Sequence, residues 1–89
     1  MRKLKYVVAK VRSSVGSTIN QPFVFSELIN HIDFARMSGF KTEDIVGAGF
    51  VFVDSEHKFV PYGESVSLKI GTTPEAVDAF ESLFNGYGY

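Results

Sequence analysis

The chain has 89 residues, nine lysines and arginines against ten acids, and no cysteine. That length holds one domain, and the missing thiols exclude disulfides and thiolate zinc sites. The net charge of −1 exerts no overall pull toward nucleic acid or membranes.

A chain this short buries only about 60–65% of the surface it exposes when unfolded. Its nine Phe and four Tyr therefore point to a partner subunit as a source of stability. The charge is unevenly placed: Arg2, Lys3, Lys5, Lys10 and Arg12 precede any acid, and the remainder carries four cations against ten acids. No apolar run approaches the ~18 residues of a membrane span, and Lys10 and Arg12 interrupt the apolar block a signal peptide needs. The expectation is a soluble, cytoplasmic protein.

Leu4 to Arg12, LKYVVAKVR, reads as a first strand with apolar residues on both faces near its middle. Its second face then needs cover, which a partner chain would supply. Ser13 to Asn20 reads as a loop by its Ser, Gly, Thr and Asn content. A helix is expected to begin between Gln21 and Ser26, with Pro22 in its first turn or Ser26 as its cap. Phe25, Leu28, Ile29, Ile32 and Ala35 recur at helical spacing, and Gly39 is placed to end the helix in the left-handed conformation. Phe23, Phe34 and Met37 fall off that stripe.

Ile45 to Ile70 is the stretch the rest is expected to cover. Ile45–Val53 is a strand apolar on both faces, with Gly47 and Gly49 on one of them leaving a shallow groove for a ring or a backbone. DSEHK (residues 54–58) is a turn, Pro61 puts the following strand at an edge, and Val66, Leu68 and Ile70 alternate with Ser65, Ser67 and Lys69 as a third strand. The last helix is marked by Thr72 or Thr73 as cap, Pro74 in the first turn, and Thr72 with Glu75 as a capping box. Val77, Phe80, Leu83 and Phe84 are its apolar stripe, and Gly86 its stop.

The pattern gives an α+β fold: one small antiparallel or mixed sheet of three or four strands, with two helices packed on one face, in the order β-α-β-β-(β)-α. One domain spans residues 1–89, with 85–89 as a flexible tail.

No motif specifies a substrate. Val46–Val53 half matches the signature of RNA-recognition domains through Gly47, Gly49, Phe50 and Val51. Val46 stands where that pattern has a basic residue, and Ala48 and Val53 where it has stacking aromatics. His31 and His57 are the only histidines. His31 and Asp33 lie two apart on a helix and do not face each other, and His57 belongs to a turn, so neither metal nor cofactor is expected. No nucleophile elbow or phosphate-binding glycine loop is present, and no enzymatic activity is expected.

The surplus of apolar positions suggests a non-enzymatic interaction module, inhibitor or accessory protein. Such a protein would form a homodimer and bind a protein surface through Tyr6, Val7, Val11, Phe23, Phe34, Met37, Phe50 and Phe52. Its size and composition are those of small accessory proteins such as phages carry. The acidic face Glu75, Asp78 and Glu81 would meet a basic surface on a partner or on another copy. The alternative is nucleic-acid binding through Lys3, Lys5, Lys10 and Arg12 with exposed aromatics. Alternation sends Lys3 and Lys5 to one side of the strand and Lys10 and Arg12 to the other.

Overall fold

A computed structural model describes residues 3–85. Four antiparallel strands, β1 (Leu4–Arg12), β2 (Thr18–Ser26), β3 (Ile45–Val53) and β4 (Phe59–Tyr62), form one sheet in the order β2-β1-β3-β4. A two-stranded hairpin, β5 (Glu64–Ser65) and β6 (Ile70–Gly71), flanks it. Helix α1 (His31–Met37) joins β2 to a single 3₁₀ turn before β3, and α2 (Pro74–Phe80) follows the hairpin and continues into a wider turn over Glu81–Asn85. No helix among the described residues is long and apolar enough to cross a membrane.

The α+β class and the antiparallel sheet agree with the sequence reading; the packing does not. The helices lie on opposite faces of the sheet, not on one. Val7, Ala9, Ala48 and Phe25 pack under Ala35 of α1, while Tyr6, Val8 and Val51 pack under Ala76, Ala79 and Phe80 of α2. The physical reason is the strand pattern itself: β1 is apolar on both faces, and each face takes one helix. The cover assigned to a partner chain comes from within the subunit.

β1 is also a central strand, paired on both sides. Beside it, where a loop and the start of a helix were expected, Thr18–Ser26 runs as β2, with Val7 opposite Phe23 and Lys5 opposite Phe25. Pro22 fits because β2 is an edge, where a missing N–H leaves no ladder bond broken. Ser26 ends this strand: its hydroxyl accepts from the Leu28 N–H at 3.1 Å. The helix then begins at His31, which removes Phe25, Leu28 and Ile29 from its stripe; Leu28 is 90% exposed. Gly39 ends it as expected, with φ of 80°.

β3 and the DSEHK turn form as read. Asp54 Oδ1 accepts from the N–H groups of Glu56 (2.8 Å) and Lys58 (3.0 Å). Pro61 sits in β4, the opposite edge of the sheet. A bulge at Val46 sets Ile45 opposite Ala9 and Gly47 opposite Val8, so Val46 and Gly47 both serve the α2 side.

The third meander strand is replaced by the hairpin. Residues 66–69 are its turn, with Lys69 left-handed at φ 57°. The Ser65 hydroxyl accepts from the Leu68 N–H at 3.1 Å, so Ser65 is buried and Val66 exposed, the reverse of simple alternation.

Thr73, not Thr72, caps α2. Its hydroxyl accepts from the Ala76 N–H at 3.2 Å and donates to the Val46 carbonyl at 2.7 Å. The Thr72 hydroxyl instead accepts from the Tyr6 phenol (2.7 Å) and donates to the Gly63 carbonyl (2.9 Å). Burial raises the Tyr6 phenol above its ordinary pKa, partly offset by Thr72. On α2 the buried positions are Ala76, Ala79 and Phe80, while Val77, Leu83 and Phe84 stay exposed. Gly86 and the rest of the expected tail beyond Asn85 lie outside the described residues.

Candidate functional site

With one helix on each face, what matters is which part of the sheet the helices leave uncovered. On the α1 side, the helix covers β2, β1 and the start of β3. The β3–β4 half carries Phe50, Phe52, Val60 and Tyr62, since register sets Phe50 opposite Tyr62 and Phe52 opposite Val60. Phe50, Phe52 and Val60 are half-buried, and Tyr62 is 39% exposed. The Tyr62 ring lies 5.9 Å from that of Phe50 and 5.7 Å from that of Phe52. The three rings make a short continuous strip.

Two lysines border it. Lys3 Nζ stands 4.2 Å over the Phe50 ring, a cation–π contact. Lys5, opposite Phe50 across the ladder, donates to the Ile29 carbonyl at 2.9 Å. Among the described residues, these two ammonium groups meet a ring and a carbonyl, and no carboxylate.

Next to Phe50 the strip runs into a hollow of about 370 Å³ lined by Lys5, Asn30, His31, Phe50, Glu64, Val66 and Ser67. His31 is 4% exposed. Its Nε2 donates to the Gly49 carbonyl at 2.7 Å, so the neutral ring carries its proton on Nε2 and leaves Nδ1 as an acceptor. The Phe25 and Phe50 rings stand nearly perpendicular to it, with centroids 5.7 and 5.9 Å away. Burial lowers the His31 pKa, and the Lys5 charge lowers it further; the bond to Gly49 opposes both. Among the described residues no group of three or more His, Asp or Glu side chains could hold a metal.

The interface residues named from the sequence separate into four groups. Tyr6 and Val7 are fully enclosed in the two cores and are unavailable to any partner. Phe23 and Phe34 are partly buried against the α1 core, with their rings 6.1 Å apart, and Val11 is half-buried at the far end of β1. Phe50 and Phe52 stand on the strip. Met37 is 74% exposed, at the end of α1 opposite to His31.

The basic residues divide as alternation requires. Lys3 and Lys5 reach the strip; Lys10 and Arg12 are exposed on the α2 side, opposite Asn20 and Thr18. Glu75 and Asp78 lie on that same α2 side, lining a shallow hollow with Ile19, Asn20 and Leu83, and Glu81 is exposed beyond them. The glycine groove of β3 is filled by the chain itself. A methyl on Gly47 would come within 2.6 Å of Ala76 Cβ, and one on Gly49 within 2.5 Å of the Tyr62 carbonyl.

Tyr62 was missed because its strand is short and holds a proline. Its signal was available: two residues on from Val60 and opposite Phe50, it must share their face. No family model, curated protein or solved structure matches the chain.

Proposed function

We propose that this chain is a small non-enzymatic interaction module, of the inhibitor or accessory kind, that acts by occupying a protein surface with the β3–β4 half of its sheet. The observation that carries this reading is the strip of Phe50, Phe52 and Tyr62, partly open to solvent on a sheet face that neither helix covers. Rigid aromatic side chains on a strand lose little entropy when a partner covers them, which is why such residues anchor interfaces. The remaining exposed apolar residues, such as Val15, Leu28 and Met37, are ordinary single exposures.

Tyr6, Val7, Phe23 and Phe34 are accounted for inside the subunit. The homodimer proposal therefore rests on the strip alone, and a second copy is one possible occupant of it.

A second reading draws on the Lys3–Phe50 contact, since a cation beside a stacking ring also suits single-stranded nucleic acid. Against it, Lys3, Lys5, Lys10 and Arg12 are divided between two faces, and Glu64 shares the hollow beside Phe50 with Lys5.

The test is affinity capture from the organism that encodes the chain, with wild type and Phe52→Glu as baits. The expected result is a protein retained by wild type and lost with the variant, unchanged by nuclease treatment. Retention by both baits, or loss on nuclease treatment, contradicts the reading.

A further inference from the structure

Resting on the interaction reading above, we infer that the strip takes an acidic segment of its partner, one that sets an aromatic or large apolar side chain on Phe50, Phe52 and Tyr62 and a carboxylate at Lys3. The argument is charge complementarity at a defined margin. Lys3 and Lys5 border the strip on its β1 side, and neither is matched by a carboxylate among the described residues. Lys5 already spends one donor on the Ile29 carbonyl and shares its hollow with Glu64, which opposes a second acid there. Lys3 is exposed and rests on a ring face, so it is the cation free to receive one.

A carboxylate approaching Lys3 keeps the cation–π contact intact, since the ammonium has three donors and the ring uses one side of it. A basic segment would bring like charge against both lysines at the point where its ring must seat. The same margin therefore both attracts an acidic partner and rejects a basic one.

Amide chemical-shift mapping on the ¹⁵N-labelled full chain tests this, with three probes: a short blocked peptide alternating glutamate with phenylalanine, its lysine counterpart, and an oligothymidylate. The glutamate peptide is expected to shift Phe50, Phe52 and Tyr62. Its affinity is expected to fall about fivefold or more in Lys3→Glu, less in Lys3→Gln, and also on raising salt to about 0.3 M. Lys3→Arg should retain it. Lys3 is exposed and lies outside the strands, so these variants keep the fold, and their dispersed spectra verify that directly.

Equal binding of the lysine peptide at the strip would overturn the inference while leaving the interaction reading in place. Shifts of the strip by the oligothymidylate alone would overturn both. Glutamate-peptide shifts confined to the α2 side, or none at all, would also overturn the inference.

Discussion

His31 shows how one residue ties the core to the candidate surface. Its Nε2 bond to Gly49 anchors the start of α1 to the middle of β3, and its ring supports Phe50 from behind. Because burial and the Lys5 charge hold its pKa below the ordinary 6.5, the folded chain resists protonating it. The unfolded chain takes that proton as pH falls through 6.5. Stability contributed by the neutral ring is thus complete above that value, declines below it, and levels off once the folded pKa is passed. Between about pH 7.5 and 5.5 the urea midpoint of wild type should fall, and in His31→Gln, which keeps a donor for Gly49 but cannot be charged, the fall should shrink. An identical pH slope in both proteins would contradict this role.

Thr73 has the same importance among the elements that His31 has among residues. Its hydroxyl caps α2 and also holds the bulged Val46 carbonyl of β3, so a single group fixes where the helix sits on the sheet. Thr73→Ala should cost about 1–2 kcal/mol by chemical denaturation, and Thr73→Ser well under half of that. Equal losses would mean that the methyl, and not the hydroxyl, matters.

The elements also show what could be read in advance. β1, β3, the Asp54 turn, the edge position of β4 and the last helix were legible because their signals are local: alternation, a capping threonine, a proline. β2 was not. Phe25, Leu28, Ile29, Ile32 and Ala35 mimic a helical stripe, and Pro22 suits a helix start as well as an edge strand. Only pairing with β1 across the hairpin loop of residues 13–17 makes Ile19, Gln21, Phe23 and Phe25 one face of a strand. The Ser65–Leu68 turn escaped for a similar reason. A side-chain hydroxyl replaced the ladder, and periodicity carries no trace of that.

At the scale of the whole molecule, the apolar surplus that suggested a partner is mostly absorbed by placing one helix on each face. What remains is smaller and better located. Phe50 and Phe52 were named from the sequence; Tyr62 and the division of the lysines join them into the candidate site. The division was legible, because odd and even positions of β1 must part. The uncovered half of the sheet was not, since it follows from how far α1 reaches, and seven residues of helix cover only the β2–β1 side and the start of β3.

The central claim is that this uncovered half meets a protein. Photo-crosslinking from a benzophenone side chain tests it most directly, placed at position 52 in one protein and at position 37 in another, inside cells of the organism that encodes the chain. The account predicts a discrete protein adduct from position 52 and none from 37. An adduct from position 37 with none from 52, or a nucleic-acid adduct in place of a protein at 52, would contradict it.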